Sequence, residues 1–143
     1  MEEAPIIFID ADEDDQLMFK QALADLSSSH PPVVFSNGET ALDYLVSVDQ
    51  APFLILSEIS MPGMNGLELR QQIDKNPTLK KQLIPFVFLS YPIHDNLVEQ
   101  AYDLTIQGLF EKKLAYEDWK TQLRDIIAYW TACHHPKKVK SAL

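Results

Sequence analysis

The acidic, hydroxyl and lysine side chains best placed for chemistry in this sequence each follow a short apolar run. "IIFIDADEDDQ" puts Asp10 directly after four apolar residues, with Asp12, Glu13, Asp14 and Asp15 in the turn that follows. "FLILSEISMPGMNG", residues 53 to 66, sets Glu58 one residue beyond another such run. "FVFLS" ends on Ser90, and "GLFEKK" carries Lys112. Like charges held close together need a cation, which Lys112 could supply, and Ser90 could add a hydroxyl. Each acid also has a plainer explanation. Glu58 would be at home as a solvated loop acid, and acids in a first helical turn are stabilised by the helix macrodipole without any ligand, which accounts for Glu13, Asp14 and Asp15.

These residues share a site only if the surrounding elements bring them to one edge. The runs "PIIFI" (5 to 9), "VVF" (33 to 35), "FLIL" (53 to 56), "IPFVFL" (84 to 89) and "GLF" (108 to 110) are short and rich in β-branched or aromatic residues, as buried strands are. Helical spacing separates them. Leu17, Phe19, Ala22, Leu23 and Leu26 form the first apolar stripe, and Ala41, Leu42, Leu45 and Val48 the second. Leu67, Leu69 and Ile73 make the third, and Leu97, Val98, Ala101 and Leu104 the fourth. Tyr116, Trp119, Leu123, Ile126, Ile127 and Trp130 make the last and clearest. Strict alternation predicts βαβ units with right-handed crossovers, hence an α/β (βα)5 fold with a five-stranded, doubly wound parallel sheet covered on both faces. In such a sheet the first and third strands meet at the switch point, so Asp10 and Glu58 are expected to face one crevice.

A chain of 143 residues with 46% hydrophobic content suits one globular domain. The net charge of -9 argues against nucleic acid or an anionic membrane as a direct partner. A single cysteine, Cys133, excludes an internal disulfide and a cysteine zinc cage, and reads as a helix-end residue in a reducing compartment. The acidic start "MEEAP" and the lack of a long apolar run give no support to export or membrane insertion, so the expected location is the cytoplasm. Pro136 stops the last helix, and residues 134 to 143, "HHPKKVKSAL", are expected to be a basic, disordered tail after a domain over residues 1 to 133.

Together "IIFIDADEDDQLMFKQAL", "FLILSEISMPGMNG", "IPFVFLS" and "GLFEKK" resemble the receiver domain of bacterial response regulators, the chemotaxis-receiver-like modules of two-component signalling. The resemblance covers about residues 5 to 130 and implies a flavodoxin-like receiver fold. It implies a phosphoryl group passed from a partner histidine kinase to an aspartate ending the third strand. Mg2+ would be held by two acids after the first strand, helped by a Ser or Thr after the fourth and a Lys after the fifth. Asp10, Ser90 and Lys112 match that pattern. The resemblance further implies that partners or a homodimer use the fourth helix, fifth strand and fifth helix, here Leu104, Leu109, Tyr116, Trp119, Glu117 and Asp118; the large residues could instead bury against the sheet, and for Trp119 that core reading is preferred.

The departures fall on the chemistry. Ala11 stands where the family has its second metal-binding acid, and Glu58 where it has the phosphoacceptor. Alanine offers Mg2+ no oxygen, so Mg2+ would bind weakly or not at all, and Asp12 leaves the backbone at a different place. Glutamate moves the carboxylate outward by about 1.5 Å, a misplacement to which a positioned reaction is sensitive. Leu109 replaces the aromatic switch residue, and Lys113 replaces the proline whose preceding peptide is commonly cis. The sequence therefore favours a stand-alone, non-enzymatic pseudo-receiver acting through protein contacts, with an ion pair between Lys112 and Glu58. The alternative is a working phosphotransfer receiver that uses Mg2+ and accepts phosphate on Glu58, Ser57, Ser60 or Asp10. A Mg2+-dependent hydrolase lacks a second positioned catalytic acid.

Overall fold

The computed structural model describes residues 3 to 104 and 106 to 134. Strands β1 (Ile6–Ile9), β2 (Pro32–Phe35), β3 (Leu54–Ser57), β4 (Phe86–Ser90) and β5 (Gly108–Glu111) form one sheet in the order β2-β1-β3-β4-β5. Every pairing is parallel. The helices are α1 (Glu13–Asp25), α2 (Gly38–Ser47), α3 (Gly66–Lys75), α4 (Pro77–Gln82), α5 (Asp95–Asp103) and α6 (Tyr116–Ala132). This is the expected five-stranded, doubly wound architecture.

Residues of β1, β3 and β4 are buried on both faces, and the two-residue period of a strand divides them between two cores. Ile7, Ile9, Ile55, Phe86 and Phe88 pack on one side of the sheet. Ile6, Phe8, Leu54, Leu56 and Val87 pack on the other with Phe19 and Trp119. Phe8 stacks on Phe19 with centroids 4.5 Å apart and meets Trp119 edge-on at 5.8 Å, joining α1 and α6 across β1. Asp12, Asn37, Asn65 and Asn76 cap α1, α2, α3 and α4 with their side chains; Asn65 and Glu68 form a full capping box.

Several details depart from the sequence reading. A short helix, α4, lies between α3 and β4, where "NPTLKKQ" supplies a capping Asn76 and a Pro77 at the first helical position. The helix read as the fourth is therefore α5, and the last is α6. Trp119 agrees with its preferred reading: it has no exposed surface and belongs to the core. The Lys112–Lys113 peptide is not cis, in line with the loss of the proline there, and the cis peptide bond among the described residues is Tyr91–Pro92. Cys133 caps the C-terminus of α6 as expected. Of the expected tail, only His134 lies within the described residues. No helix among the described residues is long and apolar enough to cross a membrane.

Candidate functional site

Strand register brings the acids together. Ile9 pairs with Ser57 across β1 and β3, so the next residues, Asp10 and Glu58, leave the sheet side by side, and the Glu58 N–H donates to the Ile9 carbonyl at 2.8 Å. Ser90 pairs with Glu111 across β4 and β5, and the N–H of Lys112 donates to the Ser90 carbonyl at 2.8 Å. Asp10, Glu58, Ser90 and Lys112 are all buried at this edge of the sheet.

Lys112 is the centre of the cluster. Its Nζ donates to Asp10 Oδ2 at 2.7 Å, to Asp15 Oδ2 at 2.7 Å and to Glu58 Oε1 at 3.1 Å. The ion pair expected between Lys112 and Glu58 is present, and two more carboxylates share the same ammonium. The other Glu58 oxygen, Oε2, accepts the Ser90 hydroxyl and the N–H groups of Ile59 at 2.7 Å and Ser60 at 3.4 Å. Glu58 is therefore no solvated loop acid; its side chain is only 7% exposed. The Ser57 hydroxyl turns away to the Glu58 carbonyl at 2.9 Å.

Asp15 corrects the sequence reading, which explained it by the helix dipole alone. It lies four residues before Phe19 and seven before Ala22, both buried on α1, and that spacing is the signal that points it inward. Asp12, by contrast, turns its Oδ1 to the N–H groups of Asp14 and Asp15 at 2.8 and 3.0 Å. It caps α1 and does not enter the cluster around Lys112. Two further residues brace the site without a sequence signal beyond polarity. Gln16 Nε2 donates to the Asp10 carbonyl at 2.6 Å and to Ser36 Oγ at 3.1 Å. Glu39 Oε2 accepts the Met64 N–H at 3.0 Å, fixing the loop after β3, where Gly63 has φ +72° and a Cβ would sit 2.7 Å from that carboxylate.

Three carboxylates around one ammonium give the cluster a net negative charge in a buried setting. Burial pushes the Asp10 carboxyl up to about 6, against the opposing hydrogen bond and charge of Lys112. Burial alone would lower Lys112, but hydrogen bonds to Asp10 and Asp15 and the charges of Asp10 and Glu58 hold it well above the ordinary lysine range. For Asp10 the sign follows from proton binding. Between about pH 4 and 6 the folded state keeps a proton that the unfolded state has released, so this group's contribution makes stability fall as pH rises through that window. Urea unfolding at pH 4.5 and 6.5 is expected to show the native chain losing about 1 to 3 kcal/mol relative to Asp10→Asn between the two values. Parallel pH profiles for the two proteins would remove Asp10 as the group responsible.

As a seat for Mg2+ the donor set does not fit. Lys112 stands between the carboxylates, the Ala11 side chain brings no oxygen, and Asp12 is engaged as a cap. Among the described residues no group of three or more Asp, Glu, His or Cys side chains is arranged to hold a metal ion.

The response regulator receiver domain model matches residues 5–124. Response regulator Rcp1 of Synechocystis sp. is 23% identical over 130 residues, covering 87% of this chain and 87% of that protein. The probable methanogenesis regulatory protein FilR2 of Methanothrix harundinacea is 30% identical over 98 residues, 66% of this chain, and the match spans 62% of that protein's length. The crystal structure of the phosphorylated cyanobacterial phytochrome response regulator RcpA superposes with a TM-score of 0.84 at 26% identity, covering 94% of this chain and 99% of that one. With β2-β1-β3-β4-β5 topology and these matches together, the chain belongs to the response regulator receiver domain family.

Proposed function

We propose that this chain is a pseudo-receiver: a two-component signalling module, its domain spanning residues 1 to 133, that works through protein contacts and without aspartyl phosphorylation. One observation carries this reading. A single carboxylate, Glu58, holds both the Ser90 hydroxyl and the Lys112 ammonium, the two side chains that the family resemblance assigns to handling a phosphoryl group. The degenerate positions Ala11 and Glu58 thus act together: one removes a metal ligand and the other fills the vacated charge position. Receiver domains can bind Mg2+ or Mn2+, and response regulator Rcp1 has been solved in a Mn2+-bound form. Here Mg2+ binds weakly or not at all, because the Lys112 ammonium already occupies the position among the acids that a cation would take.

In this reading the protein is not an enzyme, and its partner is a histidine kinase or another signalling protein in the cytoplasm. The α5-β5-α6 face, where Tyr102 and Phe110 are exposed, carries that contact or a homodimer. The net charge of -9 disfavours direct binding to nucleic acid or an anionic membrane. The likeness to phosphorylated RcpA favours a second reading, a phosphotransfer receiver charged by a histidine kinase with Mg2+.

Intact mass spectrometry decides between them. After incubation with acetyl phosphate, or with a phosphorylated histidine kinase, in excess Mg2+, the expected spectrum shows the unmodified chain alone. A Mg2+-dependent gain of one phosphoryl group would establish the second reading instead.

A further inference from the structure

Lys112 reaches its three carboxylates from a stretch of chain that belongs to no helix or strand. β5 ends at Glu111 and α6 begins at Tyr116, with Ala115 at its N-cap and no side-chain cap hydrogen bond. Lys113, Leu114 and Ala115 are exposed. Such a segment is free to shift unless a group outside it holds the backbone. The demand on it is strict, because the ammonium meets Asp10, Asp15 and Glu58 all within 3.1 Å.

The holding group is a side chain of α6. Gln122 Nε2 donates to the Glu111 carbonyl at 3.0 Å, and Gln122 Oε1 accepts the Lys113 N–H at 3.3 Å. Those two groups belong to the peptide planes on either side of the Lys112 Cα. The plane before it is tied a second time, since the Lys112 N–H donates to the Ser90 carbonyl at 2.8 Å. Peptide groups are planar, so only φ and ψ of Lys112 separate the two planes. With both planes tethered, the direction in which the lysine side chain leaves the backbone is set. Gln122 is itself firmly placed: it lies three residues after Trp119 and four before Ile126, both buried on α6, at the edge of the helix's core face. Its amide offers one donor end and one acceptor end. Glutamate could accept from Lys113 but not donate to the Glu111 carbonyl, and methionine, of similar length, could do neither.

We propose that Gln122 is a positioning residue for Lys112, clamping the peptide groups on both sides of it so that its ammonium is presented to Asp10, Asp15 and Glu58 together. This rests on the pseudo-receiver reading, in which Lys112 is the cation that Glu58 engages. Gln122 acts through the backbone, from the far side of the segment that carries the lysine.

Acetylation of the full chain by N-hydroxysuccinimidyl acetate, read residue by residue with tandem mass spectrometry, tests the clamp. The Lys112 side chain is 6% exposed and bound to three carboxylates, so its amine reacts slowly in the native chain, while neighbouring Lys113 is exposed and serves as the internal standard. Gln122→Met should speed acetylation of Lys112 several-fold and leave Lys113 unchanged. Gln122→Glu, which keeps only the acceptor, should fall between. Amide hydrogen exchange in β1 and β3 should stay at native rates. A Lys112 rate in Gln122→Met equal to the native one would overturn the proposal. So would a rise at Lys112 matched by a same-fold rise in β1 and β3 exchange, which would mark Gln122 as a general support of the fold. No phosphoryl donor takes part, so failure here is distinct from failure in the test of phosphorylation.

Discussion

With Ala11→Asp and Glu58→Asp introduced together, the chain is expected to take up one phosphoryl group from acetyl phosphate in the presence of Mg2+, and the native chain is expected to take up none. Two physical changes combine. Aspartate at position 58 withdraws the carboxylate by about 1.5 Å, which frees the Ser90 hydroxyl and part of the Lys112 ammonium from the contacts that Glu58 now holds. Aspartate at position 11 adds an oxygen donor beside Asp10, and a hard cation that wants several oxygen ligands gains one where alanine offered nothing. Each single variant should remain silent or nearly so, because positioning and charge neutralisation must be present together. Intact mass with and without chelator reads the result. If the double variant stays unmodified, the crowding of Lys112 by Asp15, or Leu109 and Lys113, matters more than the two substituted positions.

The second large effect is on stability. Lys112→Ala leaves Asp10 and Glu58, with side chains 4% and 7% exposed, facing each other and Asp15 with no cation between them. Removing one partner from a buried ion pair costs roughly 3 to 5 kcal/mol, so the melting temperature should fall by about 10 °C in a chain of this length. Glu58→Gln in the same chain removes one of the repelling charges and should restore part of the loss. The coupling between the two substitutions should be on the order of 1 to 3 kcal/mol in a double-mutant cycle. High Mg2+ should narrow the deficit of Lys112→Ala as well, since the vacated position then suits a cation. Strictly additive substitutions, with no response to Mg2+, would mean that the 3.1 Å contact carries no energy.

Much of the fold was legible because the strands are nearly continuous apolar runs, and burial on both faces of a parallel sheet demands that composition. Asp10, Glu58, Ser90 and Lys112 were legible as neighbours because each directly ends a strand or lies just beyond it, at the edge where such sheets bind ligands. α4 was missed for want of periodicity: six residues with a single buried apolar side chain, Leu79, leave only the Asn76-Pro77 start signal. Asp15 was missed because an acid in a first turn already has a sufficient local explanation, and only its phase relative to Phe19 distinguishes it from Asp14. The bracing by Glu39 joins α2 to a loop 25 residues away, a pairing that no local pattern encodes.

The ammonium at the centre of the crevice also arrives last. Lys112 is separated along the chain by 102 residues from Asp10, by 97 from Asp15 and by 54 from Glu58. A ribosome therefore delivers all three acids well before their counter-ion, and a nascent chain that has folded through β3 holds an uncompensated acidic edge. Only when β5 docks beside β4 does Lys112 enter, so the crevice is incomplete in any chain that stops before β5. A partner that recognises the edge with Lys112 in place would thereby distinguish a chain that has added β5 from one that has not.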